Sequence, residues 1–217
     1  MNLILLGAPG SGKGTQAEKL SGTYGIPHIS TGNIFRQELK DKTPLGLEAG
    51  RYMESGGLVP DSIVIEIVNS RLDRDDCSRG FILDGYPRNI LQGEALERKF
   101  ASGGIRVDRI LFIDVQDAEI IKRISSRRVC SVCGRNFNLL SNPPEEESRC
   151  DACFGALIQR EDDTETSIKT RLRIFKDETF RLIEYYQKAG LPFNKVDGIG
   201  TEMDIFRKII DIIDKRQ

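Results

Sequence analysis

The sequence lacks an excess of charge of either sign, because 32 lysines and arginines are balanced by 33 aspartates and glutamates, for a net charge of −1. No overall positive field therefore draws the chain to nucleic acid or to an anionic membrane, and any anion site has to be built locally. Internal repeats and low-complexity tracts are also absent. The 217 residues suit one large domain with insertions.

Long apolar runs are missing as well. The run near the N-terminus ends at Gly7 and has no basic segment before it, so it is too short for a signal peptide or a membrane span. We expect a cytoplasmic protein without a membrane partner. Five cysteines in such a chain argue against disulfides and for metal ligands or free thiols, although the isolated Cys77 is interpreted as an ordinary small side chain.

Short apolar runs alternate along the chain with longer stretches of helical periodicity. This alternation predicts an α/β fold with a parallel sheet covered by helices on both faces. Five strands are expected. The clearest candidates are Asn2–Leu6, 80–84 and Arg109–Asp114. A weaker candidate is Phe193–Asp197, and a very short one is 27–29.

The helical stretches carry their own boundary residues. Asp61 is expected to cap a helix, and Asp117 to open another. A long apolar stripe covers 162–188, where Asp162 and Glu165 have the spacing of a capping box. A last helix is predicted through 205–213.

Two segments break this rhythm and look like insertions that project from the core. Residues 30–60 are helical with no strand between them, and residues 129–160 are rich in Cys, Pro and Glu. The sequence therefore predicts a core of 1–29, 60–126 and 165–217 with insertions at 30–59 and 127–164.

The first strand leads directly into a glycine-rich loop with the spacing of a phosphate-binding loop. Glycine, four further residues and Gly12-Lys13 stand between a strand and a helix. Such a backbone curls so that N–H groups point at a phosphate, and Lys13 can reach the β- and γ-phosphates. The usual Ser or Thr after the lysine is replaced by Gly14, with Thr15 one position later. Alone, this loop leaves GTPase, ATPase and kinase open.

Four cysteines form two Cys-x2-Cys pairs that are separated by sixteen residues. This spacing predicts a structural, four-coordinate Zn²⁺ site with no open position for a substrate. A zinc ribbon that binds nucleic acid is the alternative, but three consecutive glutamates from Glu145 make a poor surface for a phosphate backbone. The predicted ligands are Cys130, Cys133, Cys150 and Cys153.

A series of motifs in the correct order along essentially the whole chain resembles the adenylate kinase family. The motifs are Gly-Lys-Gly-Thr-Gln within 7–16, Ser-Thr-Gly-Asn at 30–33, Gly-Leu-Val-Pro-Asp at 57–61, Asp-Gly-Tyr-Pro-Arg at 84–88, Arg127-Arg128, and Asp162-Asp163. The resemblance implies a three-layer P-loop NTPase-type fold with a five-stranded parallel sheet, an AMP-binding insertion at 30–59 and a zinc-binding lid at 127–164. It also implies reversible phosphoryl transfer from Mg²⁺-ATP to AMP, which gives two ADP.

The resemblance assigns roles to individual residues. Asp84 ends a strand at its carboxyl edge, where it can hold Mg²⁺ through water molecules. The catalytic set is Lys13, Asp84, Arg88, Arg127, Arg160 and Arg171. The ATP contacts are Gly10, Ser11, Gly12, Lys13, Gly14, Thr15, Arg123, Arg127, Asn136, Phe137 and Ile199. The AMP contacts are Thr31, Arg36, Gly57, Leu58, Val59, Gly85, Tyr86, Pro87, Arg88, Gln92, Arg160 and Arg171.

Phosphoryl transfer needs positioning and positive charge more than covalent help, so the absence of an obvious general base is no obstacle. The amide of Gln92 suits an adenine edge, since it offers a donor and an acceptor together. One departure stands out: the family has Asp where this chain has Asn33, and we expect weaker outer-shell support for Mg²⁺ but not lost activity.

Two rival functions remain open at this point. A kinase for UMP, CMP or GMP is the nearest, although the long lid and Gln92 favour AMP. A P-loop switch or nucleic-acid-binding protein is the second, and the acidic lid argues against it. Nothing in the sequence demands an oligomer, so a monomer is expected.

Overall fold

The computed structural model describes residues 1–215. None of the helices in this range is both long and apolar enough to cross a membrane. A 3₁₀ turn covers Asp75–Cys77, and a π-helical turn, called the π-turn below, covers Phe175–Thr179. The remaining elements are β1 (Asn2–Leu6), α1 (Lys13–Tyr24), β2 (His28–Ser30), α2 (Thr31–Lys40), α3 (Pro44–Glu54), α4 (Asp61–Leu72), β3 (Phe81–Asp84), α5 (Ile90–Gly103), β4 (Arg109–Asp114), α6 (Asp117–Ser125), β5 (Arg127–Cys130), β6 (Asn136–Asn138), β7 (Leu157–Ile158), α7 (Glu165–Ile174), α8 (Phe180–Lys188), β8 (Phe193–Asp197) and α9 (Glu202–Asp214).

The central sheet has five parallel strands in the order β2-β3-β1-β4-β8, which confirms the predicted α/β class. β1 lies in the middle because its apolar residues are buried on both faces, as parallel strands require. The short strand β2 lies one residue later than the pattern predicted. Its register pairs Ser30 with Asp84, so the ends of β2 and β3 meet at one edge.

Side chains that alternate along β1 enter two different apolar clusters. Leu3 and Leu5 pack with residues of α1 and α9, whereas Ile4 and Leu6 pack with residues of α4, α5 and α8. Alternation along a strand sends neighbouring side chains to opposite faces. The result is the expected three-layer arrangement, with helices on both faces of the sheet.

Two segments lie outside this frame. α2 and α3 follow each other with no strand between them, and they approach so closely that a Cβ at Gly46 would lie 2.1 Å from the Glu38 carbonyl carbon. The second segment contains a three-stranded antiparallel sheet in the order β6-β5-β7. We call the segment 127–164 the lid.

The structure corrects both capping assignments. Pro60 precedes α4, and Asp61 is its first helical residue, without a side-chain bond to the helix backbone. Thr164 caps α7 by accepting from the Ser167 N–H, while Asp162 pairs with Arg171. Asp61 binds residues of α5 and Asp162 binds Arg171 two turns into α7, and these side-chain pairs outweigh the small gain from a local cap. The predicted stripe at 162–188 lies on one helical run, in which the π-turn joins α7 to α8.

Candidate active site

The loop between β1 and α1 is closed by a lysine that turns back on it. Lys13 Nζ donates to the carbonyl oxygens of Gly7 at 2.7 Å and of Ala8 at 2.8 Å. Gly10 and Gly12 have φ values of 82° and 96°, which favour glycine. A Cβ at Gly10 would also lie 2.6 Å from Ile124 Cγ1. The loop thus presents backbone N–H groups and the N-terminus of α1 to one side, an arrangement that suits phosphate.

Lys13 is held in a buried and strongly positive environment. Burial lowers its pKa from 10.5 to about 8, Asp84 opposes this shift, and Arg88, Arg127 and Arg171 add to it. The charged form is therefore destabilised in the absence of an anion. A phosphate at the loop would reverse this cost by pairing with the ammonium group.

Asp84 lies at the carboxyl end of β3, beside the loop. His28 Nε2 lies 3.1 Å from Asp84 Oδ2. Burial would raise the pKa of Asp84, but the hydrogen bond from His28 and the charges of Lys13, His28 and Arg88 hold it below its usual value. Asp84 is therefore a carboxylate that can accept from metal-bound water.

Sequence reasoning did not identify His28. It is the single histidine of the chain, on a strand that is adjacent to the one that ends in Asp84. Its only mark in the sequence is its position before the Ser30-Thr31 motif. Its role cannot be seen locally, because its partner Asp84 is 56 positions away.

Arg88 and Arg36 meet near the end of β3. Arg88 Nε donates to the Gly85 carbonyl at 2.8 Å, and Thr31 Oγ1 donates to the same oxygen at 3.0 Å. Arg36 Nη2 donates to Asn33 Oδ1 at 2.6 Å. Asn33 thus positions Arg36 without neutralising its charge.

Gln92 lies one turn into α5 and is only 1% exposed. Its Oε1 accepts from the Arg88 backbone N–H at 2.8 Å, and its Nε2 donates to Asp61 Oδ1 at 2.6 Å. Asn89 joins the same group, since its Nδ2 lies 3.1 Å from each Asp61 oxygen. The amide of Gln92 is therefore fixed in orientation at the cavity wall.

The lid and α7 bring three arginines to the same cavity. Arg127 Nε donates to Asp163 Oδ2 at 2.8 Å, and Arg171 pairs with Asp162. Arg160 Nη2 donates to Asn136 Oδ1 at 2.6 Å, whereas its buried Nε has no hydrogen-bond partner among the described residues. The sequence marked Asp163 only as part of a motif and Asp162 also as a candidate helix cap, whereas the structure pairs both with arginines.

The pKa values of the arginines around the cavity are lowered, and cationic groups outnumber carboxylates on its wall. Burial is the main cause in each case, and neighbouring arginines add to it. The pKa falls to about 10 for Arg36, to about 8 for Arg160 and to about 10 for Arg171. Guanidinium groups stay charged in proteins, so the shifts express an electrostatic cost that a bound polyanion relieves.

One cavity joins the loop, the insertion and the lid. Most predicted nucleotide contacts lie on its wall, including those of the loop, the insertion and the arginine set. Three do not: Ser11 and Tyr86 are buried beneath it, and Ile199 is 48% exposed next to Gly200, which does line it. Phe137 and Asn136 approach from the lid, and Asn136 Nδ2 lies 3.4 Å from Glu18 on α1.

Arg123 lies on α6 and lines the same cavity. Its guanidinium donates to Glu119 at 2.8 Å and to the Gly198 carbonyl at 2.9 Å. These two hydrogen bonds hold the Arg123 guanidinium in place, and the residue still lines the cavity. A flat guanidinium at this position suits stacking on a base.

The four lid cysteines converge on one point. Their Sγ atoms all lie within 4.8 Å of one another, with 3.4 Å between Cys130 and Cys153 and 3.6 Å between Cys133 and Cys150. Four thiolates about 2.3 Å from a tetrahedral Zn²⁺ lie about 3.8 Å apart, so the set fits this ion. Backbone N–H groups of Val132 and Cys133 point at Cys130 Sγ, as in the outer shell of a metal site.

A phosphate-binding loop, a carboxylate at the adjacent strand end and converging arginines define a P-loop enzyme of the phosphotransferase class. The model of the adenylate kinase family matches residues 5–191. An adenylate kinase of Caldicellulosiruptor saccharolyticus is 54% identical over 93% of this chain and 93% of its own length. One of Syntrophobacter fumaroxidans is 47% identical over 98% of this chain and 100% of its own length. The chain belongs to the adenylate kinase family.

Proposed function

We propose that this chain catalyses reversible phosphoryl transfer from Mg²⁺-ATP to AMP, which gives two ADP. The observation that carries the proposal is the convergence of cations from three parts of the chain on one cavity. Lys13 comes from the loop, Arg36 from the insertion and Arg88 from the segment after β3, and the lid and α7 supply the rest. Two nucleotides bound end to end would place their phosphates among these charges.

ATP is proposed to bind at the loop end of the cavity. The backbone N–H groups at 10–15 would hold its β-phosphate, and Arg123 would stack beside its adenine. Asp84 and Thr15 are the groups that would hold Mg²⁺, Asp84 through water, because the carboxylate stays ionised and faces Gly14 and the loop. The ion neutralises phosphate charge when bound.

AMP is proposed to bind at the other end of the cavity. Arg36 and Arg88 suit its phosphate, since a guanidinium fork matches two phosphate oxygens. Thr31 and the backbone of 57–59 border the base, and Gln92 supplies a donor and an acceptor for the adenine edge. This arrangement favours AMP over UMP and CMP, whose smaller bases do not reach as far.

The transfer itself needs the two phosphates in line and charge around the moving group. Lys13, Arg127, Arg160 and Arg171 would supply that charge, since all four line the cavity. No side chain has to remove a proton in this scheme. The lid residues Asn136 and Phe137 would exclude water from the γ-phosphate, which prevents hydrolysis.

The cysteine cluster is proposed to hold a structural Zn²⁺. All four tetrahedral positions would be filled by thiolates, so no position is left for a substrate. We further propose a cytoplasmic monomer with 30–59 and 127–164 as its two inserted domains, because the described residues of one chain supply both nucleotide sites.

A coupled assay with ATP and each monophosphate tests the proposal. We expect fast turnover with AMP and at least about a hundredfold lower kcat/KM with GMP, UMP and CMP. Gln92→Ala is expected to weaken AMP by about 1–3 kcal/mol and to leave the KM for ATP unchanged, since a buried polar edge is left unpaired. Turnover without AMP, or a stronger response to another monophosphate, would contradict the proposed function.

A further inference from the structure

Asp61 makes no local use of its carboxylate, although it begins a helix. It reaches from α4 to α5, where it accepts from Gln92 Nε2 at 2.6 Å and from Asn89 Nδ2 at 3.1 Å on each oxygen. Asn89 is itself fixed, because its Oδ1 accepts from the Gln92 backbone N–H as the cap of α5. The contact is therefore a specific junction between two helices at the cavity wall.

The chemistry of these partners determines which way the Gln92 amide points. An ionised carboxylate only accepts hydrogen bonds, so the NH₂ group of Gln92 must face Asp61. A backbone N–H only donates, so Gln92 Oε1 must face the Arg88 N–H, which lies 2.8 Å away. In a flipped amide, the NH₂ group would face the Arg88 N–H, and the amide oxygen would face the Asp61 carboxylate. Each half of the amide keeps one free position, which is one N–H and one lone pair.

We propose that Asp61 determines base specificity by fixing the orientation of the Gln92 amide, an inference that rests on the proposed function. The free lone pair and the free N–H match adenine, which offers a 6-amino donor and the N1 acceptor. Hypoxanthine and guanine have the opposite pattern, an O6 acceptor and an N1–H donor. A freely rotating glutamine could serve either base, whereas one held on both sides, by Asp61 at Nε2 and by the Arg88 N–H at Oε1, serves only adenine.

The test uses Asp61→Ala and the ratio of kcat/KM for AMP to that for IMP, a monophosphate that differs from AMP only at this edge. We expect the ratio to fall at least about tenfold, which corresponds to about 1.4 kcal/mol. The matched control is Asp73→Ala, at the other end of α4, which also ties α4 to α5 through Lys99 Nζ at 2.5 Å. The control should leave the ratio unchanged. A ratio that is unchanged in Asp61→Ala overturns the inference.

A double-mutant cycle separates this role from general loosening of the site. If Asp61 acts through Gln92, Asp61→Ala should not lower the ratio further in a chain that already carries Gln92→Ala. An additional loss in that background means that Asp61 acts by another route, and the inference is wrong.

Asp61→Asn, which retains an accepting oxygen, should keep most of the ratio, and it serves as the reference where the alanine variant melts early. If Asp61→Asn lowers the ratio as much as Asp61→Ala in well-folded protein, the accepting oxygen is not what matters, and the inference is again wrong.

The outcome also tells this inference apart from the proposed function. If Gln92→Ala itself leaves the ratio unchanged, Gln92 does not recognise the base, and the proposed function has failed at this point. If Gln92→Ala lowers the ratio and Asp61→Ala does not, only the role of Asp61 is wrong.

Discussion

The central sheet buries apolar side chains on both faces, whereas the lid buries Phe137 and two of its cysteines, with Leu157 packed against them, among the residues described. Burial at about 25 cal/mol per Å² can hold the core together without help. The apolar cluster of the lid is too small for that, and we propose that its four thiolates and the metal that they fit supply the stability. In this proposal the same chain contains one region folded by apolar contacts and one folded by ligation.

The candidate active site lies where these two regions meet. Lys13 and Arg88 come from the core, and Arg127 and Arg160 come from the lid. Loss of the lid would thus remove part of the positive charge but leave the loop intact. The comparison yields four predictions, which are given in order of decreasing effect.

Lys13→Ala is expected to separate chemistry from stability in the core. Burial lowers the pKa of its ammonium group, which offsets the two hydrogen bonds that it donates to the loop, so its loss should lower the melting temperature only slightly. Its loss should lower kcat by about 10²–10³ or more, as for other charge-stabilising groups. Steady-state kinetics and a melting curve measure both effects. Lys195→Ala, which removes a surface pair with Asp114, is the control and should alter neither. Turnover near that of the wild type in Lys13→Ala would contradict the assignment.

Cys150→Ser is expected to weaken the lid and spare the core. Zinc content should fall to near zero, the melting temperature should drop, and some activity should remain at low temperature. Cys77→Ala also removes a thiol but lies in the core, so it should retain the metal. Zinc analysis, melting and low-temperature activity on the same samples measure this. A zinc-free, fully folded and wholly inactive variant would contradict a structural role for the metal.

The pH dependence of stability offers a third contrast within the core. Because the pKa of Lys13 is lowered from 10.5 to about 8, the unfolded chain binds more protons between these values. The free energy of unfolding contributed by this group should therefore rise from pH 8 to 10.5, by up to about 3 kcal/mol. Urea unfolding of the wild type and of Lys13→Met gives the difference. If the free energy of unfolding changes equally with pH in the two proteins, the account of the lowered Lys13 pKa is wrong.

Asn33→Asp is expected to have the smallest effect. A carboxylate at this position would pair with Arg36, which now donates to Asn33 at 2.6 Å. It would also add a negative charge near the proposed Mg²⁺ site. We expect about a two- to fivefold rise in the KM for AMP, half-saturation at a lower Mg²⁺ concentration and nearly unchanged kcat. A large loss of kcat would show that Asn33 acts in the transfer step.

Sequence patterns predicted the core better than the connections within the site. The apolar runs located all five strands of the sheet, since burial on both faces leaves a pattern that is local in sequence. The loop and the cysteine pairs were equally clear, because spacing alone carries their chemistry. Asp61 was misassigned as a cap because its true partner, Gln92, is 31 positions away.

His28 and the π-turn at Phe175–Thr179 were missed for related reasons. The side chain of His28 acquires its meaning only from Asp84 on the adjacent strand. The π-turn lies inside an uninterrupted apolar stripe, so no local residue marks it. Partners fixed by tertiary contacts leave no periodic trace in a single sequence.

Amide hydrogen exchange on zinc-loaded and chelator-treated protein tests the comparison most directly. The account predicts that amides of β5, β6 and β7 lose their protection when the metal is removed, while those of β1, β3 and β4 retain theirs. Unchanged protection in the lid, or a uniform loss across core and lid, would contradict the claim that ligation folds one region and apolar burial the other.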